Sequence, residues 1–242
     1  MAKAKKKRVG QWPVPPADRP HQCEFCGKNF SREKALLNHT CQYRMRWLWR
    51  DNRENKLAYH VFEQFHSAHY SKKVDYEEFM YSNYFDAFVK FANYMLRNNI
   101  VEPKKFIDFV IKHGIRLDDW ATDVTYELYI RSFVENEPAR TAMIRNIEFM
   151  RQWAEEEGAH WTEFFSKVSP GMAVHYVKTG RISPWVLYTL DSAQEQLLSR
   201  MSPEQLKLVT EQFAPLAKWR PKFSIRREDV DEVRHIFGQA GL

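Results

Sequence analysis

The segment from residue 23 to residue 39 has the sequence CEFCGKNFSREKALLNH, and it decides how the N-terminal part of the chain folds. Cys23 and Cys26 are separated by two residues, which places both thiolates on one tight turn, and Gly27 lets the chain reverse direction. His39 follows Leu36 by a three-residue offset, which puts both side chains on one face of a helix. The spacing predicts a tetrahedral metal site that includes Cys23, Cys26 and His39.

With Phe30 and Leu36 as its core residues, the segment resembles the first three quarters of the two-cysteine, two-histidine zinc finger. The resemblance implies a small ββα unit that binds Zn²⁺ and needs the metal to fold. It also implies that bases are contacted from the residue before the helix and from helix positions three and six, here Arg32, Ala35 and Asn38. Arginine pairs with guanine, asparagine pairs with adenine, and alanine contacts a thymine methyl group. The alternative is that Arg32 and Asn38 are ordinary solvated helix residues.

The fourth ligand departs from the zinc-finger pattern. A second histidine is expected three to five residues after His39, but Tyr43, Arg44 and Met45 follow at that distance. Cys41 is the nearest soft ligand, and on a regular helix it would lie about 200° around from His39. We therefore expect Cys41 to bind the metal only if the helix is interrupted. His21, an exogenous ligand, or no tightly bound metal are the alternatives.

Positive charge is concentrated in the first quarter of the chain. The net charge is +6, yet the fourteen Lys and Arg and five Asp and Glu through residue 56 give that segment +9 and leave −3 for the rest. This asymmetry favours a polyanionic partner. Of the nucleic acids, the resemblance to the zinc finger favours DNA. The candidate phosphate contacts are Lys5, Lys6, Lys7, Arg8, Lys28, Lys34, Arg44, Arg46, Arg50 and Arg53. We expect the neighbouring Trp47 and Trp49 to pack against the body rather than to stack on bases.

The chain divides into three segments by composition. Residues 1–20 combine basic residues with four prolines and are expected to form a disordered arm. Residues 21–57 contain the zinc finger and an extended basic helix. Because neither Gly nor Pro occurs between Lys28 and Pro103, we expect one helix to run from Arg32 past Arg53. Residues 58–242 are predicted to form a single helical domain.

The body has the periodicity of an all-α protein with no sizeable sheet. Apolar residues recur three and four apart, and we predict nine or ten short helices. Prolines at likely first helical positions mark helix starts, and glycines mark helix ends. We expect the aromatic residues from Tyr76 to Tyr94 to form core rather than a base-stacking platform. The apolar residues with this periodicity include Tyr84, Phe85, Phe88, Phe91 and Met95. The prolines at helix starts are Pro103, Pro170, Pro184 and Pro203, and the glycines at helix ends are Gly114, Gly158 and Gly180.

Several classes of protein are excluded by the same composition. No apolar run is long enough to span a bilayer, and no secretory signal is present, so we expect an intracellular protein without a membrane partner. The three cysteines lie close together, which favours metal binding over disulfides. No phosphate-binding Gly-rich loop or nucleophile motif occurs, so we do not expect an enzyme. We expect His60, His66 and His69 to be surface residues rather than a second metal site.

The segments YFDAFVKF (84–91), KFIDFVIK (105–112) and ISPW (182–185) resemble an uncharacterised family of large tailed bacteriophages. That resemblance implies a viral nucleic-acid setting in the cytoplasm of an infected bacterium. The favoured hypothesis is a non-enzymatic nucleic-acid-binding accessory protein of replication or transcription, whose helical body binds a protein partner. The second hypothesis is an adaptor that docks on RNA polymerase or another nucleic-acid machine. The third is a nucleic-acid-processing enzyme with its site in the body.

Overall fold

A computed structural model describes residues 8–242 and shows an all-α body with a small two-stranded unit near the N-terminus. The chain forms two compact units, and the boundary between them along the sequence lies between Thr122 and Asp123. The first unit contains β1 (His21–Gln22), β2 (Asn29–Phe30), α1 (Glu33–Leu37), α2 (Gln42–Leu48), α3 (Arg53–Tyr70), α4 (Tyr76–Met80), α5 (Phe85–Arg97) and α6 (Pro103–Lys112).

The second unit is helical throughout. It contains α7 (Asp123–Asn136), α8 (Ala139–Glu157), α9 (Phe164–Lys167), α10 (Pro170–Lys178), α11 (Pro184–Leu187), α12 (Asp191–Gln196), α13 (Pro203–Lys207), α14 (Leu216–Ile225) and α15 (Arg227–Gln239). A π-helix over Leu208–Phe213 follows α13 directly. The body is thus divided into more helices than the periodicity predicts, because several elements are only four to six residues long. In the described chain, no helix combines the length and the apolar character needed to cross a bilayer.

The proline and glycine signals place the helix ends correctly. Pro103, Pro170, Pro184 and Pro203 each occupy the first turn of a helix. The hydroxyl oxygens of Ser169, Ser183 and Ser202 accept hydrogen bonds from the backbone N–H groups of those first turns, which satisfies donors that have no partner inside the helix. Gly158 ends α8 in the left-handed conformation, with φ of +63°. These predictions are confirmed.

The first unit has an aromatic core formed mainly between α3 and α5. Phe85, Phe88, Phe91 and Met95 are buried along one face of α5, as their spacing predicts. Phe88 packs edge-on against Trp120, with ring centroids 5.9 Å apart. The prediction that the aromatic residues of this segment form core is therefore confirmed for this face of α5.

The second unit is organised around α8. A buried ion pair joins Arg145 of α8 to Glu137 at 2.7 Å, and Arg145 also donates to the carbonyl oxygen of Gly180 at 2.6 Å. The indole N–H of Trp185 donates to the carbonyl oxygen of Glu137, while its ring packs edge-on to Trp219 at 5.8 Å. Arg145 therefore satisfies both a buried carboxylate and a buried backbone group.

Two features of the expected organisation are different in the structure. The single helix expected from Arg32 past Arg53 is three helices, because the chain unwinds after Leu37 and again after Leu48. The second break is held by the side chain of Asn55, which donates to the carbonyl oxygen of Trp49 at 2.9 Å. The units also divide at residue 122 rather than at residue 57, so the finger belongs to the same compact unit as α3 to α6.

Candidate metal centre

The turn between β1 and β2 positions the first two cysteines. The strands pair antiparallel, with His21 opposite Phe30, and the backbone N–H of Cys23 donates to the carbonyl oxygen of Lys28 at 2.9 Å. The N–H of Gly27 donates back to the Cys23 carbonyl oxygen at 2.8 Å, and its φ of +71° is a conformation that glycine adopts readily. The turn directs Cys23 and Cys26 to one side.

His39 follows the short helix α1. Its backbone N–H donates to the carbonyl oxygen of Leu36 at 3.1 Å, so the chain makes one more turn before it leaves the helix. The imidazole lies 5.0 Å from the ring of Phe30, measured between centroids, and its Nε2 is 3.3 Å from Cys26 Sγ. Strand β2 and helix α1 therefore place the third ligand beside the cysteine turn.

Cys41 joins the cluster of candidate ligands because the helix is interrupted before it. Helix α1 ends at Leu37, and Cys41 precedes α2 in an extended conformation, with φ of −97° and ψ of 113°. The extended backbone removes the 200° separation that a continuous helix would impose on His39 and Cys41. Cys41 is almost fully buried among the other ligands. Of the alternatives considered from sequence, His21 lies outside the cluster that the structure brings together.

The four ligand atoms fit a tetrahedral metal ion. All of them, three thiol sulfurs and one imidazole nitrogen, lie within 4.8 Å of one another. With bonds of about 2.3 Å to sulfur and about 2.0 Å to nitrogen, a zinc tetrahedron has edges of about 3.5 to 3.8 Å. The 3.3 Å between Cys26 Sγ and His39 Nε2 is close to such an edge. No disulfide competes for the cysteines. The cluster is therefore positioned to bind a metal ion.

The surrounding protein shifts the pKa values of the Cys23 and Cys26 thiols in opposite directions. Burial raises the pKa of the Cys26 thiol to about 12. Burial also acts on Cys23, but hydrogen bonds from the backbone N–H groups of Cys26 and Phe25 outweigh it, and the pKa of Cys23 is lowered. Backbone donors that stabilise one thiolate are what a metal-binding turn provides, since thiolates are the species that bind metal.

The ligands also form the centre of a small apolar cluster. Cys23, Phe25 and Cys41 are buried, and the half-buried side chains of Val9, Cys26, Phe30, Leu36, Tyr43 and Trp47 pack around them. The cluster has few residues, which is typical of small modules that a bound metal stabilises.

Three side chains join the metal centre to the helices that follow it. The hydroxyl of Tyr81 donates to the carbonyl oxygen of Phe25, inside the cysteine turn, at 2.6 Å. Burial raises the pKa of Tyr81, which keeps this donor protonated. The hydroxyl of Tyr76 donates to the Arg46 carbonyl oxygen at 2.7 Å, and Tyr43 packs on Tyr81 with centroids 4.8 Å apart. The sequence signal for these contacts was weak, since Tyr76 and Tyr81 are more than thirty residues from the cysteine turn.

The residues predicted to contact bases are all exposed. Arg32 precedes α1, Ala35 lies within it, and Asn38 ends it, so the three follow one another at three-residue spacing along one side of this helix. Among the candidate phosphate contacts, Lys28, Lys34, Arg44 and Arg53 are also exposed. Lys5, Lys6 and Lys7 lie outside the described residues.

Arg46 was predicted to contact phosphate, but the structure places its side chain inside the protein. Its side chain is buried, with the residue only 7% exposed, and Nη1 donates to the carbonyl oxygen of Met80 at 2.9 Å. Nη2 pairs with Asp86 at 3.0 Å, and the guanidinium lies over the ring of Phe85 at 4.1 Å from its centroid. A guanidinium held in this way by α4 and α5 is not available to a phosphate.

Two further basic residues among the candidate phosphate contacts bind other residues of the protein. Arg8 forms ion pairs with Asp75 at 2.6 Å and with Glu77 at 3.1 Å, and these partners raise its pKa. Arg50 donates to the carbonyl oxygen of Trp47 and lies 4.8 Å from that ring's centroid. Trp47 packs in the apolar cluster as expected, whereas Trp49 is about half exposed.

The N-terminal arm has structure in its described part. The backbone N–H of Gly10 and the indole N–H of Trp12 both donate to the carbonyl oxygen of Glu24, at 2.9 and 2.6 Å. A Cβ at Gly27 would come within 2.5 Å of the Trp12 ring, so the absence of a side chain there permits this contact. Val9, Gly10 and Trp12 therefore contact the cysteine turn, whereas Val14 is 91% exposed.

Comparison of the chain with protein-family models, with curated proteins and with solved structures found no match. The resemblance to a bacteriophage family stays a prediction from the sequence.

Proposed function

We propose that the chain binds Zn²⁺ through Cys23, Cys26, His39 and Cys41 and uses the finger to bind nucleic acid, with DNA favoured. Three thiolates and one imidazole are a ligand set typical of structural zinc sites, in which no coordination position is left open for chemistry. A closed site has a structural role, and the sequence resemblance to bacteriophage proteins favours an accessory protein of replication or transcription whose helical units recruit a protein partner.

The distribution of basic side chains carries this proposal. Arg8, Arg46 and Arg50 are engaged inside the chain, whereas Arg32, Lys34 and Arg44 are exposed close to the metal centre. In the part of the chain that the structure describes, none of these three exposed residues forms an ion pair. Exposed cations that form no ion pair are available to neutralise phosphates and to release counterions.

The salt dependence of binding tests the proposal. Replacing Arg32, Lys34 and Arg44 together with Ala removes three charges beside the metal centre. Each phosphate contact contributes about −0.9 to the slope of log affinity against log salt, so the slope should flatten by about 2.7. Fluorescence anisotropy with duplex DNA, single-stranded DNA and RNA across a salt series measures it.

The matched control replaces Lys90, Lys104 and Lys112 with Ala. These lysines are exposed in the same unit and form no ion pair among the described residues, so the change in net charge is identical. We expect a slope close to that of the unchanged protein. An equal loss in both triple variants would show that net charge, and not the finger, sets affinity. No binding of the unchanged protein at low salt would refute the proposal.

A second candidate function is an adaptor whose finger docks on another protein. Leu37, Leu48 and Trp49 are large apolar side chains exposed in or close to the finger, which favours a protein contact there. Replacement of these three residues with Ser would abolish capture of the partner protein without changing the salt slope for nucleic acid.

A further inference from the structure

An aromatic cavity of about 430 Å³ lies in the first unit, outside the metal centre. It forms where the end of α3, the segment leading to α4, and the turn between α4 and α5 come together. This volume is within the range of small-ligand sites, which are typically lined by aromatic side chains with a few polar groups. Its aromatic lining consists of Phe62, Phe65, Tyr70, Tyr81 and Tyr84.

The aromatic residues of this cavity differ in exposure. Phe62 is buried and belongs to the core, whereas Tyr70 and Tyr84 are 65% and 62% exposed. Tyr84 was expected to be part of the core, but it precedes the first turn of α5, and Phe85 takes the core position instead. Two tyrosines from different elements therefore present exposed rings at one cavity.

His66 supplies a polar group inside the aromatic lining. Its ring packs on Phe62 with centroids 4.1 Å apart, and its Nδ1 is buried without a hydrogen-bond partner among the described residues. Burial and the charge of Lys72 lower the pKa of His66, which keeps the imidazole neutral. A neutral imidazole has one donor and one acceptor. A buried polar atom without a partner indicates a hydrogen bond that a water or a ligand completes.

One exposed cation lies beside the cavity. Lys72 and Glu78 both line it and pair at 2.8 Å, so their charges neutralise each other, whereas the next residue, Lys73, is exposed and forms no ion pair in the described chain. Tyr81 connects the cavity to the finger, because its ring lines the cavity while its hydroxyl donates to the Phe25 carbonyl oxygen. The cavity therefore lies next to the cysteine turn of the finger.

We propose that this cavity binds one unpaired base of a single-stranded segment, stacked on Tyr70 and Tyr84, in the nucleic acid that the finger holds. The inference rests on the proposed nucleic-acid-binding function. A duplex keeps its bases stacked in pairs, so only an unpaired base presents the ring face that these tyrosines can stack on. Lys73 contacts the adjoining phosphate, and His66 contacts the edge of the base.

Substitution of the exposed tyrosines tests the cavity. Tyr70→Ala and Tyr84→Ala should each weaken binding of a single-stranded oligonucleotide about 5- to 150-fold, the range for loss of one base–aromatic stack. Duplex affinity and the salt slope should not change, because no charge is removed. Tyr84→Phe keeps the ring and should restore affinity to within about twofold. Leu128→Ala, at an exposed apolar residue of the second unit, is the control. Zinc content and the melting temperature of each variant show that it is folded.

A second probe separates this inference from the function on which it rests. Adenosine monophosphate, titrated into the full chain, should shift the ring resonances of Tyr70 and Tyr84, and the double alanine variant should no longer bind it. If oligonucleotides bind through Arg32, Lys34 and Arg44 but the tyrosine variants change nothing, the cavity assignment is overturned and the function remains. If only the mononucleotide binds, the cavity assignment holds and the function is overturned. Absence of both overturns both.

Discussion

At the scale of single residues, the identity of the fourth ligand depends on one backbone conformation. Cys41 is two residues after His39, a spacing that a helix would not allow for two ligands of one ion. The structure resolves this by ending α1 at Leu37 and leaving Cys41 extended. The chain therefore leaves the helix between the last two candidate ligands, which brings both into one cluster.

Replacement of Cys41 with Ser should lower zinc affinity at least about 100-fold. Loss of an outer partner of a ligand already costs 10- to 100-fold, and Cys41 contributes a ligand atom itself. Competition with a chromophoric chelator measures the affinity. His21→Ala is the control, because His21 is nearby on β1 but outside the cluster, and it should leave affinity unchanged. A larger loss in His21→Ala than in Cys41→Ser would assign the fourth ligand to His21.

At the scale of elements, helix α2 shows how neighbouring arginines take different roles. Arg44 and Arg46 are two residues apart and so point to different sides of the helix. Arg46 is buried against α4 and α5, whereas Arg44 is exposed. Helix α2 is therefore held to the rest of the unit on one side, and the other side remains available to a ligand.

Arg46→Ala should lower the free energy of unfolding of the first unit by about 2–4 kcal/mol. The variant loses a charged hydrogen bond to the Met80 carbonyl oxygen and the packing on Phe85. The ion pair with Asp86 contributes less, at most about 1 kcal/mol, because the Asp86 side chain is 76% exposed. Urea titration of the zinc-bound protein measures the change.

Arg44→Ala is the matched control for this position. It should change stability by less than about 0.5 kcal/mol, as expected for an exposed residue, and should weaken nucleic-acid binding instead. Equal stability losses in the two variants would contradict the docking described for α2.

At the scale of the whole molecule, the metal centre belongs to the first compact unit. From sequence, the helical domain was expected to begin at residue 58, with the finger in a separate segment before it. Hydrogen bonds from Tyr76 and Tyr81 instead join the finger segment to α4 and the turn after it. The second unit contains no cysteine and has its own core around α8.

Removal of the metal with a chelator should increase amide hydrogen exchange in residues 9–50 and, to a lesser extent, in α4. Exchange in α7 to α15 should stay the same, because no metal ligand belongs to that unit. Exchange measured by mass spectrometry on the full chain, with and without chelator, tests this. A uniform increase along the chain would show that both units unfold together, and no increase near the cysteines would show that the finger folds without metal.

The sequence by itself determined the features that depend on local spacing. The cysteine turn, the offset of His39, the proline and serine helix starts and the buried face of α5 all depend on residues at most about a dozen positions apart, and the structure confirms them. Such features follow from backbone geometry and helical periodicity, which act over one turn or a few turns.

Only the tertiary structure decided which residues are buried or bound by other parts of the chain and which are exposed. Arg46 is buried because α4 and α5, thirty to forty residues later, pack against α2. Tyr84 is exposed whereas Phe85 next to it is buried, and Gly10 and Trp12 of the arm donate to the carbonyl oxygen of Glu24. These outcomes depend on where distant elements meet, and packing between distant elements leaves no periodic signal in the local sequence.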